Sequence, residues 1–117
     1  MKTIAIIFLA ALFCCACSLN GVDESTVVLH DNSTIIDVRT EKEYKAGHLK
    51  NTLHIPYDTI QSVIKRHVPD KNAEIILYCR SGRRSGIAKE TLAAMGYTNV
   101  INAGAYKKLK KQETENK

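Results

Sequence analysis

The stretch that decides the fold lies at residues 74–85 and reads Glu-Ile-Ile-Leu-Tyr-Cys-Arg-Ser-Gly-Arg-Arg-Ser. Its first five residues are mostly apolar and predict a buried central strand that ends at Tyr78. Cys79 follows at the carboxyl end of this strand, and Gly82 marks a turn that leads into a helix ended by Gly96. The inner face of that helix is predicted, from residues at helical spacing, to carry Ile87, Ala88, Thr91, Leu92 and Met95.

Further strands and helices alternate on both sides of this unit. Short apolar runs predict strands at residues 27–29, 35–38, 53–55 and 100–101. Thr40 followed by Glu43 is a capping-box pattern that opens a short helix ended by Gly47. Another helix is predicted from one apolar face formed by Ile60, Val63, Ile64 and His67. The alternation predicts an α/β domain with a mainly parallel central sheet of four to five strands and helices on both faces.

Length and composition fit one such domain. The chain has 117 residues, of which 44% are hydrophobic and 25% are charged, and these values exclude a disordered or collagen-like chain and leave no room for a second domain. The four histidines show no ligand spacing with one another. The sequence therefore predicts no metal site.

Residues 1–17 are predicted to be a secretory signal peptide. Positions 4–16 form an unbroken apolar run of 13 residues, which is shorter than the roughly 20 that a membrane-spanning helix needs. Ala16 before Cys17 resembles the cleavage site of a bacterial lipoprotein signal. We therefore expect an exported protein that is either periplasmic or attached to a bacterial membrane through a lipidated Cys17. Ordinary cleavage at a small-residue site is the alternative, and the polar residues 18–26 are predicted to be a linker.

Residues 107–117 form a basic tail with five lysines. Basic segments can bind nucleic acid, but no aromatic residue is interleaved with these charges, and an exported protein does not meet nucleic acid. The sequence therefore predicts a solvated helix end and no nucleic-acid partner.

Cys79 is the residue with the clearest chemical signal. No other cysteine follows Cys17, so an exported domain has no disulfide framework to explain it. The backbone N–H groups of a turn and the start of a helix favour a thiolate over a thiol. Arg80, Arg83 and Arg84 add positive charges that stabilise a thiolate and attract an anionic substrate. These residues predict a nucleophilic cysteine rather than a buried structural one.

Three neighbouring residues have predicted supporting roles. Gly82 supplies a backbone geometry that residues with a side chain resist. Ser85 is placed either to cap the helix or to donate a hydrogen bond to sulfur. Asp37, near the carboxyl end of the strand at 35–38, is expected to orient an arginine of the loop, because a carboxylate acting beside Cys79 would oppose thiolate formation.

The segment Cys79-Arg80-Ser81-Gly82-Arg83-Arg84 resembles the active-site loop of single-domain rhodaneses, the thiosulfate sulfurtransferase family. Residues 37–39, 43–44 and 47–49 resemble the upstream signature of that family, and residues 54–56 and 95–100 also fall where it has similar stretches. The resemblance predicts a small rhodanese-like domain at residues 27–106. Together with the leader, it is similar to the exported type of the family.

This resemblance implies a sulfurtransferase that carries a sulfur atom as a persulfide on Cys79. Its partners would be a small anionic donor such as thiosulfate and a thiophilic acceptor such as cyanide or a thiol, with no metal or organic cofactor. Arg80 and Arg84 are the arginines expected to contact substrate, whereas Arg83 is equally suited to face solvent. The resemblance further implies a substrate-binding loop with Asp37 and Arg39, at the end of another strand, as supporting residues near the site. The loop residues are Arg80, Ser81, Gly82, Arg83, Arg84 and Ser85.

Two other classes of function remain open. A Cys-dependent phosphatase or arsenate reductase would use the same cysteine and arginine, but related phosphatases have one more residue in this loop than the four between Cys79 and Arg84. A rhodanese-like module could instead bind a sulfur carrier or redox partner without turnover. Degenerate modules of that kind commonly lack the cysteine, which this chain has.

Overall fold

The computed structural model describes residues 29–116 and contains four strands and four helices. The predicted signal peptide, its Cys17, the linker, and residues 27–28 of the first predicted strand lie outside the described residues. In chain order the elements are β1 (Thr34–Asp37), α1 (Glu41–Ala46), β2 (Thr52–His54), α2 (Ile60–His67), β3 (Ile75–Cys79), α3 (Arg83–Ala94), β4 (Val100–Ala105) and α4 (Tyr106–Glu115).

The four strands form one parallel sheet in the order β2-β1-β3-β4. β3 lies inside the sheet and all five of its residues are buried, as expected for an apolar strand covered on both faces. The α/β class, the parallel sheet and its position around the strand at residues 75–79 are therefore confirmed.

Helices cover both faces of the sheet. On one face, α2 and α3 contribute Ile60, Ile64, Ala88 and Leu92 to the larger core. On the other face, a smaller core joins Leu49, Ile76, Tyr78 and Leu109. Leu109 lies within the segment that the sequence analysis interprets as a solvated basic tail, but it is 2% exposed. The helix α4 is therefore anchored to the domain through its apolar face, while its lysines lie around it.

Local predictions differ from the structure at several other places. Leu29 belongs to no strand, β2 begins one residue earlier than predicted, and β4 extends to Ala105. Ile87 is 38% exposed and does not face the core, because the inner stripe of α3 follows Ala88 and Leu92 instead. The capping box is confirmed, since Thr40 and Glu43 bond to each other's backbone at the start of α1.

The sheet register brings two chemically rich segments together. Asp37 of β1 lies beside Tyr78 of β3, so the residues that follow each strand emerge at one edge of the sheet. Parallel α/β sheets place their binding sites at this carboxyl edge. β4 reaches the same edge after a bulge, with Leu77 opposite Asn102 and Tyr78 opposite Gly104, so that Ala103 is the additional residue.

Candidate active site

Cys79 is the last residue of β3 and is a free, fully buried cysteine. Residues 80–82 form a tight loop that returns the chain to the start of α3 directly above the sulfur. Gly82 makes this turn with a φ of 95°, a left-handed conformation that side chains disfavour. A Cβ at Gly82 would also lie 3.4 Å from Gly104 Cα of the neighbouring strand. The predicted need for glycine here therefore comes from its positive φ.

The loop directs hydrogen-bond donors at the sulfur. The Gly82 N–H donates to Cys79 Sγ at 2.9 Å, and Ser85 Oγ lies 3.4 Å from the same atom. Burial raises the pKa of Cys79, but hydrogen bonds from the Ser85 hydroxyl and from the N–H groups of Ser85, Ser81 and Gly82 together bring that pKa below its ordinary value. The thiolate is thus favoured mainly by these short-range donors.

Arg84 is the loop arginine that has a partner within residues 29–116. Its guanidinium forms two parallel hydrogen bonds to Glu43, at 2.7 and 3.0 Å. The hydrogen bond from Arg84 lowers the pKa of Glu43 to about 2, and Thr40 contributes to the same effect. Glu43 therefore has two roles, since it caps α1 and also holds Arg84. The sequence predicts the first role but not the second. The place of Glu43 shortly after β1, at the same edge as the loop, was the available signal.

Asp37 and Arg39 form a closed pair beside the loop. The Arg39 Nε and Nη2 atoms donate to the Asp37 carboxylate at 2.6–3.0 Å, and Nη2 also donates to Gly47 O. The Arg39 guanidinium lies 4.2 Å from the ring centre of Tyr106. Asp37 was expected to orient an arginine of the loop, and this is wrong: its hydrogen bonds go to Arg39. The pair supports the wall of the site and does not touch the loop arginines.

Asn102 is a site residue that the sequence analysis missed. Its Oδ1 accepts from Ser85 Oγ at 2.7 Å and from Gly104 N at 3.0 Å, and its Nδ2 donates to Gly82 O at 2.9 Å. The predicted strand ends at residue 101, so nothing in the sequence indicated that the next residue, Asn102, lies beside the loop. The bulge in β4 is what brings it there.

An open cavity of about 630 Å³ lies next to the loop. Its walls are formed by Arg39, Glu43, Ala46, Arg80, Ser81, Tyr106 and Lys107. Arg80, Arg83 and Lys107 are exposed, and within residues 29–116 none of the three forms an ion pair. Because the charges of Arg39 and Glu43 are each matched by a partner, the rim of this cavity is left with two unmatched cations, Arg80 and Lys107.

In the part of the chain that the structure describes, the other titratable groups do not assemble into a second centre. His48 and His54 stack on the two sides of the Tyr44 ring, and each also contacts a backbone carbonyl oxygen. Across residues 29–116, no cluster of three or more His, Cys, Asp and Glu side chains is arranged to hold a metal ion. In the same part of the chain, no helix has the length and apolar character needed to cross a membrane.

The profile of the rhodanese-like domain family matches residues 22–112, which is most of the chain. The chain belongs to the rhodanese-like family. It is 46% identical over 72 residues to thiosulfate sulfurtransferase PspE of Escherichia coli, and this match covers 62% of the chain and 69% of that protein. The resemblance seen in the loop and upstream segments is thereby confirmed at the level of the family.

Solved structures agree with this assignment. A rhodanese from E. coli, described as solved with anions, matches with a TM-score of 0.63 and 43% identity, covering 65% of this chain and 89% of that one. The human single-domain sulfurtransferase TSTD1 matches with a TM-score of 0.62 and 26% identity, covering 70% of this chain and 84% of that one.

Other members of the family have different names. The chain is 35% identical over 72 residues to the putative sulfur carrier protein YrkF of Bacillus subtilis, a match covering 62% of the chain and 38% of that protein. A tRNA uridine(34) hydroxylase of Buchnera aphidicola is 30% identical over 105 residues, covering 84% of the chain and 33% of that protein. Membership of the family therefore does not by itself specify the reaction.

Proposed function

We propose that this protein is a sulfurtransferase that moves the outer sulfur of thiosulfate to a thiophilic acceptor through a persulfide on Cys79. The observation that carries the proposal is the geometry around Cys79 Sγ, where the Gly82 N–H donates at 2.9 Å and the Ser85 hydroxyl lies at 3.4 Å. Such donors stabilise a thiolate before attack and a terminal persulfide anion after it. The names of the E. coli and human relatives support the same reaction class.

The first half-reaction transfers one sulfur to the enzyme. The Cys79 thiolate attacks the outer sulfur of thiosulfate, a new sulfur–sulfur bond forms at Cys79, and the bond to the sulfonate sulfur breaks. Sulfite leaves with the electron pair of that bond, and the persulfide retains one negative charge. Arg80 on the exposed side of the loop is available for the anionic donor, because it has no ion pair within residues 29–116.

The second half-reaction returns the cysteine. A nucleophile such as cyanide or a thiolate attacks the terminal sulfur, forms thiocyanate or a new persulfide, and leaves the Cys79 thiolate behind. The cavity of about 630 Å³ gives the acceptor access from the side of Arg80 and Ser81. No step needs a metal or an organic cofactor, since sulfur changes partner and the electron pairs balance within the two substrates.

The size of the loop favours sulfur over phosphate. Four residues separate Cys79 from Arg84, and the Arg84 guanidinium is turned to Glu43 by two hydrogen bonds. A phosphatase needs its loop arginine to bind the equatorial oxygens of a phosphoryl group. An arginine already neutralised by a carboxylate is poorly suited to that task, so the phosphatase alternative is disfavoured.

Mass spectrometry of the full chain tests the proposal. Thiosulfate is expected to add one sulfur atom to the peptide that contains Cys79 and to release an equal amount of sulfite, and cyanide is expected to remove the added sulfur as thiocyanate. Peptide mapping separates Cys79 from the leader cysteines, and Cys79→Ser is expected to abolish all three signals. If free Cys79 gains no sulfur, the proposal fails and the binding-module alternative is preferred. Phosphate release from an aryl phosphate would instead support the phosphatase.

We further propose, from the sequence, that the protein is exported and anchored through a lipidated Cys17. The support is the 13-residue apolar run and the Ala16-Cys17 junction. In a bacterial host, the chain is expected to partition with membranes, and Cys17→Ser to release it. Recovery of the unaltered chain entirely in a soluble fraction would contradict anchoring.

A further inference from the structure

The Ser85 hydroxyl has two acceptors within reach but only one hydrogen to donate. Asn102 Oδ1 lies 2.7 Å from Ser85 Oγ, and Cys79 Sγ lies 3.4 Å from it on the other side. Ser85 is fully buried, so water does not supply an alternative partner. The direction of this one O–H bond therefore depends on which acceptor is stronger at a given moment.

The orientation of the Asn102 amide follows from its other contacts. Gly104 N–H must face an acceptor at 3.0 Å, and Gly82 O must face a donor at 2.9 Å. With the amide oxygen and nitrogen exchanged, the NH2 group would face the Gly104 N–H, and the oxygen would face Gly82 O. Neither pair could form a hydrogen bond, so Oδ1 faces Ser85. The amide also packs closely on α3, since a Cβ at Gly86 would lie 3.4 Å from Asn102 Nδ2.

The two protonation states of Cys79 place opposite demands on the hydroxyl. A neutral thiol can donate its own hydrogen to Ser85 Oγ while the hydroxyl points to Asn102. A thiolate has no hydrogen to donate and is stabilised when the hydroxyl turns to the sulfur. Asn102 and the charged sulfur therefore compete for one hydrogen bond.

We propose that Asn102 is a positioning residue that holds the Ser85 hydroxyl away from a neutral Cys79 and releases it when the sulfur becomes an anion. The role rests on Cys79 being the nucleophile of the proposed reaction. It makes the charged states of the sulfur depend on a neutral side chain of β4, which lies outside the loop itself.

Within residues 29–116, Asn102 forms no hydrogen bond with the charged groups around Cys79. The charges near the sulfur come from the exposed Arg80 and Arg83 of the loop and from Arg84 of α3, paired with Glu43 of α1. Those at the end of β1 are confined to the buried Asp37–Arg39 pair. Tyr78, the preceding residue of β3, accepts a hydrogen bond from the Leu49 N–H at 3.1 Å in the core on the opposite face of the sheet.

The pKa of Tyr78 is raised above its ordinary value, chiefly by burial, so it stays neutral. Neither Tyr78 nor the buried Asp37–Arg39 pair forms a hydrogen bond to Asn102 or to Cys79 Sγ. A change in the ionisation of Cys79 on mutating Asn102 must come through Ser85 or through the loop backbone.

A double-mutant cycle on the pH dependence of alkylation separates these two routes. The rate of iodoacetamide labelling at the Cys79 peptide of the full chain is measured against pH for the wild type, Asn102→Leu, Ser85→Ala and the double variant. Asn102→Leu removes the competing acceptor. When Ser85 is present, this change is expected to lower the apparent pKa of Cys79 by about 0.5–1 unit, the equivalent of one hydrogen bond. In the Ser85→Ala background this shift is expected to vanish.

Two further variants keep the result interpretable. Asn99→Leu, an exposed asparagine just before β4 at the opposite edge, is the matched control and is expected to leave the profile unchanged. Asn102→Asp keeps an acceptor and adds negative charge, so it is expected to raise the apparent pKa. If Ser85→Ala fails to fold, the opposite signs of the Leu and Asp variants decide.

An equal shift in both backgrounds would overturn the proposal, because Asn102 would then act through the loop backbone alone. No shift, or shifts of the same sign for Asn102→Leu and Asn102→Asp, would overturn it as well. Alkylation does not require sulfur transfer, so these outcomes are distinct from a failure of the proposed reaction, which the sulfur-addition experiment detects.

Discussion

Two segments leave the same edge of the sheet from adjacent strands, and they use their charges in opposite ways. After β1, Asp37 and Arg39 satisfy each other in a buried pair whose side chains are 0% and 6% exposed. After β3, the donors of the loop converge on a sulfur, and Arg80 and Arg83 face solvent. The charges of the first segment are satisfied within the fold, while the second segment has charges without a partner within residues 29–116.

The contrast shows that a position at the carboxyl edge of a parallel sheet does not by itself leave a side chain free to bind a ligand. Both segments contain an arginine two to five residues from an ionisable group, and both lie where α/β proteins place their sites. What separates them is whether hydrogen-bond donors are already used within the fold. A buried, fully paired cation shapes the wall of a site, whereas unpaired donors can act on a substrate.

Removing the buried Asp37–Arg39 ion pair is expected to have the largest effect, and this effect is on the free energy of unfolding. Asp37→Ala leaves the buried Arg39 guanidinium without its carboxylate, which is expected to cost about 3–5 kcal/mol in the free energy of unfolding. Chemical denaturation of the purified chain measures this. Glu41→Ala removes an exposed carboxylate of the nearby helix and is the control, with no measurable change expected. Equal stability of both variants would show that the pair is not needed for the fold.

Opening the reactive segment is expected to reduce activity more than stability. Arg84→Ala removes the two hydrogen bonds that tie the start of α3 to Glu43, so the donors directed at Cys79 lose their support, and kcat/KM for thiosulfate is expected to fall by roughly one to two decades. Arg83→Ala removes an exposed arginine from the adjacent position and is expected to have little effect. Steady-state kinetics with thiosulfate and cyanide make the comparison. Equal, small losses would indicate that the backbone donors alone hold the donor substrate.

Much of this contrast could be predicted from the sequence, because hydrophobic periodicity and strand ends carry it. The buried strand at residues 75–79, the glycine turn and the capped helix follow from local patterns that the tertiary structure did not override. The position of Cys79 at the carboxyl edge then follows from parallel topology alone.

The features that the sequence did not predict depend on contacts between segments that are distant in the chain. Asn102 reaches Ser85 only because β4 contains a bulge, and a bulge has no signal in a short strand pattern. Leu109 is one apolar residue among lysines, so its burial depends on which face of α4 packs on the sheet. The partner of Asp37 could not be chosen from sequence, since both Arg39 and the loop arginines lie within reach of that edge.

A smaller effect is expected from the pH dependence of the Glu43–Arg84 pair. The folded-state pKa of Glu43, about 2, lies below its ordinary value of 4.5, so the pair contributes stability that is present above pH 4.5 and lost as the pH falls toward 2. Because both side chains are partly exposed, we expect the contribution to be roughly 1 kcal/mol. Glu43→Gln is expected to flatten the stability curve in that window.

Denaturation at several pH values between 2 and 6 checks this expectation about Glu43. Glu90→Gln is a control, since Glu90 is exposed on α3 and forms no ion pair within residues 29–116. A Glu43→Gln variant whose stability falls with acid as steeply as that of the wild type would show that other carboxylates carry the acid sensitivity.

The smallest expected effect is on the KM for an anionic acceptor and concerns Lys107 at the rim of the cavity. Lys107 lines the cavity and Lys108 does not, although the two are neighbours on α4 and both are exposed. An anionic thiol acceptor such as glutathione is expected to show a KM about two- to threefold higher in Lys107→Gln, because one exposed charge contributes about 0.5 kcal/mol. Lys108→Gln is expected to match the wild type, and 2-mercaptoethanol, which is neutral, to show no difference in any variant. The Lys107 effect is also expected to fade with added salt, since exposed charges are screened. A larger KM for 2-mercaptoethanol in Lys107→Gln would mean that the lysine shapes the cavity rather than attracting charge.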